Sequence, residues 1–272
     1  MGYLVLSYFC FGTLAISYSC NDLWCNDYRV GIGGYVAHHS TAQSNPNITQ
    51  GGAYLAVRFR RWKEWFSFGV DMDFGVGGAS IKSNLAQSVM PNLANNSANL
   101  NFSVTAHTGI NAYQLEMPIF IDIFTSFRAN LYEVESNLPY TTLLSLGTSL
   151  LSMRHLNDII GLEYGISYGY IVYGSHIFRE FSSNRPNPHF PTRVHKTNDT
   201  TSRINQNSHE AKAFIGLFGN NLNIKKQSWY GRLSVIYHYV DSSRKVAFGG
   251  ASDVYYPRTQ NISTMLEIGL GF

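Results

Sequence analysis

The side chains that could do chemistry in this sequence are thinly spread. His38 and Ser40 stand two apart in His38-His39-Ser40, and an imidazole near a hydroxyl is the minimum needed to activate a nucleophile. Asp71 and Asp73 offer two carboxylates, the raw material for paired acid and base roles. Within the alternating stretches charge comes singly or at alternate positions: Arg58 and Arg60, Glu116, Glu163, Glu210 and Lys212, Arg232, His238, Glu267. The cysteines, Cys10, Cys20 and Cys25, have no histidine or further cysteine at ligand spacing, so no metal site is expected. The glycine clusters Gly31, Gly33, Gly34 and Gly75, Gly77, Gly78 do not run on into a helical pattern, which a phosphate-binding loop requires. No catalytic residue and no cofactor is therefore assigned.

Spacing of two between charges is the period of a strand face. The clearest case is Phe66–Gly77, where Phe66, Phe68, Val70, Met72, Phe74 and Val76 alternate with Ser67, Gly69, Asp71, Asp73, Gly75 and Gly77. That length and regularity suit a membrane-crossing strand, which needs about 9–11 tilted residues. Similar alternation predicts strands at 28–39, 53–60, 110–124, 140–152, 160–173, 210–219, 229–241 and 266–272. A weaker stretch at 125–135 is needed to make the number even. A hairpin centred between Trp62 and Lys63 would set Phe59 opposite Phe66 and Arg58 opposite Ser67, apolar on apolar and polar on polar. In 160–173 the pattern places Tyr173 on the same face as Glu163.

Composition agrees. Charged residues are 14% of 272, against roughly 25% in soluble domains, while Tyr (18), Phe (17) and Gly (24) are abundant. Mean hydropathy is only -0.11, too low for a bundle of apolar helices. An exterior of apolar side chains around a polar interior reconciles these values. The formal charge of +3, without a basic run, gives no reason to expect nucleic acid. The expected fold is all-β: a transmembrane, antiparallel, up-and-down barrel of ten strands, with eight as the alternative, spanning 28–272.

Connections alternate in length. Short ones are expected at 61–64, 153–157 and 220–227, and long polar ones at 40–51, 79–108, 175–208 and 242–256. Periplasmic turns are short and outer loops long. Trp62, Trp65 and Trp229 fall at the short-turn end, where tryptophan would mark a membrane interface. The charged faces would point inward, making Arg58, Asp71, Asp73, Glu116, Glu163, Lys212, Arg232 and Glu267 lumen residues. They would form an ion-paired filling, or line a narrow polar pore. Glu267 should find a cation, with Arg29 and Arg232 the candidates. Residues 1–19 read as a signal peptide lacking its positive start, and 20–27 as a periplasmic segment in which Cys20 and Cys25 could close a small loop.

The last strand carries a resemblance. Leu266, Ile268, Leu270 and Phe272 alternate with Glu267, Gly269 and Gly271, and this looks like the C-terminal assembly signal of bacterial outer-membrane β-barrels. The run Tyr113-Gln-Leu-Glu-Met-Pro-Ile-Phe-Ile121 is similar to a Leu-Glu-Ile-Pro strand of porin-like small outer-membrane proteins. The Asn- and Ser-rich loops and terminal Phe resemble Helicobacter-type outer-membrane proteins. What this implies is location in the outer membrane of a Gram-negative cell. It also implies contact with membrane lipid and lipopolysaccharide, and assembly through the last strand by the barrel-assembly machinery. His38-x-Ser40 resembles the pairing in outer-membrane phospholipases and lipid A deacylases, but the Asn that follows Ser there is Thr41 here. No Asp-His dipeptide matches the ten-stranded outer-membrane proteases. The expected role is structural or surface-interacting, with a host or surface ligand met through the long loops. A small porin is the alternative, and a lipid hydrolase a more distant one.

Overall fold

A computed structural model describes residues 19–20, 24–41, 47–82, 96–113, 117–133, 139–156, 159–181, 197–205, 207–220, 228–248, 251–256 and 258–272. Among the described residues fourteen strands are formed: β1 (Ser19–Cys20), β2 (Cys25–Thr41), β3 (Asn47–Trp62), β4 (Ser67–Lys82), β5 (Asn96–Asn111), β6 (Ile119–Glu133), β7 (Pro139–His155), β8 (Ile160–Phe181), β9 (Thr197–Arg203), β10 (His209–Asn220), β11 (Ser228–Val240), β12 (Val246–Phe248), β13 (Ala251–Val254) and β14 (Thr259–Gly271). Ten of them, β2 to β8 with β10, β11 and β14, close an antiparallel barrel in which β14 pairs with β2. Closure leaves the ten barrel strands no unpaired edge, the condition for a sheet to stand in hydrocarbon.

The side chains sort as alternation requires. Ile32, Leu55, Phe74, Phe102, Ile121, Leu146, Ile166, Ile215 and Leu266 face outward and are exposed. Arg29, Arg58, Asp122, Glu163, Arg232 and Glu267 face inward and are buried. Large apolar residues in an unbroken exposed belt would aggregate in water, but they match a lipid environment. The expected ten-stranded barrel is therefore the observed one.

Several expected boundaries shift. The 79–108 stretch contains β5, whose outward Leu100, Phe102 and Val104 alternate with inward Asn99, Asn101 and Ser103. The segments 110–124 and 125–135 are not two strands. β5 runs to Asn111 and the single strand β6 begins after Pro118, whose missing N–H suits a strand start. Strand number survives because one strand is gained as two merge.

The β3–β4 hairpin is centred elsewhere than expected. Lys63 N donates to Phe66 O, Arg58 faces Asp71 and Phe59 faces Val70. The shift is an even number of residues, so each side chain keeps its face. β2 starts at Cys25 rather than residue 28, and Cys25 is disulfide-bonded, with Cys20 opposite it across the β1–β2 hairpin. Apart from Ser19, the expected signal peptide lies outside the described residues.

β8 rises past the barrel. Its pairing with β7 slips between Leu144 and Ser145, which face Tyr173 and Ile171 and leave Val172 as the extra residue of a bulge. Val172 and Tyr173 both point outward, so Tyr173 is not on the Glu163 face. Above the bulge, Ser175–Phe181 pairs with β9.

Candidate functional site

The interior is built in three levels. At the short-turn end Cys25, Trp62, Phe120, Met153, Phe218 and Tyr230 form an apolar floor. Trp62 meets Phe120 edge-on at 5.3 Å. Trp62 is fully buried and faces inward, so it is not an interface aromatic. Trp65 is exposed on the turn, and Trp229 is half-buried on the outer face. Trp62 ends β3 on the inward parity, which its turn-side position alone does not reveal.

Ion pairs lie above the floor. Glu163 of β8 is held between Arg232, with Nε to Oε1 at 2.8 Å, and Arg29 of β2, with Nη1 to Oε2 at 2.7 Å. β2 and β8 are separated by β14, β11 and β10 on one side and by five strands on the other, so this link crosses the lumen. Arg29 also binds Asp27 at 2.8 Å. Arg60 of β3 reaches Asp122 of β6 at 2.7 Å, past β4 and β5, and lies over the Phe120 ring at 4.5 Å. Ser67 Oγ donates to the other Asp122 oxygen at 2.7 Å.

Arg58 joins Asp73 (2.5 Å) and Glu267 (2.8 Å). Glu267 also accepts from the Tyr230 hydroxyl at 2.5 Å and the Tyr54 hydroxyl at 3.3 Å. The cation of Glu267 is thus Arg58, neither Arg29 nor Arg232. Arg232 sits directly opposite Glu267 in the ladder, yet its guanidinium turns the other way to Glu163. Gly216 permits this, since a Cβ there would lie 2.6 Å from the Glu163 oxygen. Gly31 and Gly33 open the space through which Tyr230 and Tyr54 reach Glu267.

Two small cavities lie among the described residues. One of about 50 Å³ is lined by Arg58, Asp71, His107, Glu163, Lys212 and Arg232 among others. The second, about 60 Å³, lies above it among Tyr35, Gln50, Tyr54, Asn101, Arg128 and Asn130. Each has room for a few waters. Of the lumen residues expected from sequence, Arg58, Asp71, Asp73, Glu163, Lys212, Arg232 and Glu267 converge here. Glu116 lies outside the described residues. Asp122, His107 and Arg128 are lumen groups not in the expected set. His107 belongs to the strand hidden in a polar stretch, and its signal was the Leu100, Phe102, Val104 alternation. Among the described residues no three His, Cys, Asp or Glu side chains gather as metal ligands. His38 is exposed on the outer face, its Nδ1 3.3 Å from Thr49 Oγ1.

A roof stands at the long-loop end. Ile204 bridges Ser243, and Leu143, Ile171, Ile204 and Val240 cluster beneath. His176 stacks on Tyr256 at 3.9 Å, and its Nδ1 lies 2.8 Å from Thr141 Oγ1. Both rings are above the apolar belt of β8. Burial holds the His176 imidazole down to about 3 and pushes the Tyr256 phenol up to about 12.

Fold and lumen together define a class: a membrane-type β-barrel whose interior is bridged wall to wall. No protein-family model matches the chain, and no curated protein does. Among solved structures, the toluene transporter TodX of Pseudomonas putida aligns over 93% of this chain and 90% of its own at 8% identity, with a TM-score of 0.38. Ail, the attachment invasion locus protein of Yersinia pestis, aligns over 91% and 99% at 10% identity, with a TM-score of 0.28. Likenesses this distant decide nothing about role, and the class rests on the barrel's own polarity and closure.

Proposed function

We propose that this chain is an integral outer-membrane β-barrel of a Gram-negative cell that acts without catalysis, as a scaffold presenting its outer loops to surface partners. The observation that carries this reading is the division of the molecule. The lumen is occupied by ion pairs between non-adjacent strands, Arg29–Glu163–Arg232, Arg60–Asp122 and Arg58–Glu267, with small cavities beside them. The longest connections, 83–95, 182–196 and the segment around β12 and β13, all leave the opposite end from the short turns. Binding functions concentrate in loops carried on a rigid scaffold.

Assembly through β14 by the barrel-assembly machinery fits the reading, because β14 must pair with β2 to close the wall. Membership of a Helicobacter-type group is a finer assignment within it. The test is deletion of 83–95 and of 182–196 in cells that display the protein. The barrel should still reach the outer membrane and keep its heat-modifiable gel migration, while adhesion of the cells to host-cell or matrix surfaces falls. Unchanged adhesion in both deletions would remove the surface-interaction role.

A further inference from the structure

The outer wall is not uniform around the barrel. On β8, β10 and β11, near the long-loop end, the ladder places Tyr170 opposite His209 and His209 opposite Tyr239. The next outward row is Tyr168, Ala211 and Tyr237. The rings touch: His209 stacks on Tyr239 at 4.9 Å and 17°, and Tyr168 meets Tyr170 edge-on at 5.7 Å. Below them the outward residues turn aliphatic, with Ile166, Ala213 and Val235 in register. Above them stand two guanidiniums. Arg258 lies over the Tyr239 ring at 5.6 Å and Arg203 over the Tyr173 ring at 5.8 Å.

Arg258 is half exposed and is braced by Asp241 at 3.2 Å. Arg203 is exposed, and its carbonyl accepts from the backbone N–H of Arg244, itself exposed. Among the described residues the outward faces of β8, β10 and β11 carry no carboxylate. Among the described residues the opposite wall at the same end shows nothing similar: outward positions there are Thr49, Gly51, Ala53, Gly78, Ser80 and Ala98. A belt that only anchored the barrel at the interface would have no reason to favour one side.

We infer that this face docks one phosphorylated glycolipid of the outer leaflet. Its phosphate lies between Arg203 and Arg258, its sugar packs on the His209 and Tyr239 rings, and its acyl chains run down Ile166, Ala213 and Val235. The vertical order of the patch, cationic over aromatic over aliphatic, is the order of such a lipid. Guanidinium recognises phosphate by charge-assisted, bidentate hydrogen bonds, and aromatic faces suit sugar rings. The inference rests on the outer-membrane reading above, since only that leaflet offers the lipid.

The test uses the refolded full chain in neutral detergent, titrated with bisphosphorylated lipid A, with dephosphorylated lipid A and with phosphatidylglycerol, adducts being counted by native mass spectrometry. Wild type should bind bisphosphorylated lipid A at least about tenfold more tightly than either control lipid. Arg203→Ala with Arg258→Ala should erase that preference. Arg154→Ala, at the short-turn end, should keep it, and Tyr239→Ala should weaken binding of both lipid A forms. Heat-modifiable migration checks that every variant is folded. Equal binding by wild type and the double arginine variant would overturn the proposal, as would indifference to phosphate. Recovery of the native protein outside the outer-membrane fraction would instead remove the location while leaving the binding result to stand on its own.

Discussion

Glu163 shows what the lumen asks of a single residue. Its two oxygens satisfy two guanidiniums from different walls, and all three groups are out of water. A buried pair of this kind adds little net stability over an apolar filling, but removing one member strands the rest. Glu163→Ala should therefore destabilise the barrel by about 3–5 kcal/mol, read as a lower urea midpoint in lipid vesicles. Combining it with Arg232→Met should recover most of that loss, since Arg29 keeps Asp27, and a double variant no better than the single would contradict the pairing. Glycine makes a second test. A Cβ on Gly31 would sit 2.2 Å from the Tyr230 hydroxyl, whereas one on Gly34 meets nothing closer than 3.7 Å. Gly31→Ala should lower the unfolding midpoint and Gly34→Ala should leave it unchanged. Which residues face inward was legible from alternation for Arg58, Asp71, Asp73, Glu163, Lys212, Arg232 and Glu267. Which charge meets which was not, because partners are set by reach across a curved wall rather than by ladder position. Arg232 opposite Glu267 but bound to Glu163 is the plain case.

The extended end of β8 is the element whose behaviour departs most from the regular wall. The bulge at Val172 redirects it, and β9 with Ser242, Ser243, Arg244 and Tyr256 packs it into the roof. No sequence period announces a bulge, since one extra residue simply reverses the faces beyond it, as it does for Tyr173. Likewise the polar face of β5 conceals a strand with six apolar residues in sixteen. His176 gives the roof a pH dependence. Its folded pKa is held below the usual imidazole value by burial, so the neutral form is the folded form. Stability from this site is present above the unfolded value, about 6.5, and is lost progressively as pH falls from there towards about 3. Hydrogen exchange in 175–181 and β9 should accelerate over that window while β3 and β4 stay protected. His176→Phe should remove the acid sensitivity, and the same acid response in that variant would assign it elsewhere.

On the scale of the whole molecule, the same period of two does two jobs. Outward it supplies the apolar wall, and inward it delivers cations and anions from opposite strands to common points. Closure between β14 and β2 completes both. Of the expected ion-paired filling or narrow pore, the lumen shows the ion pairs, with an apolar floor beneath them. That the lumen is sealed is the claim on which the surface role depends, and conduction measures it directly. Refolded protein, shown by heat-modifiable migration to be a barrel, should insert into planar lipid bilayers and give no discrete conductance steps at neutral pH. Reproducible steps that change when Arg58 and Arg232 are neutralised would contradict the account and make the lumen a pore.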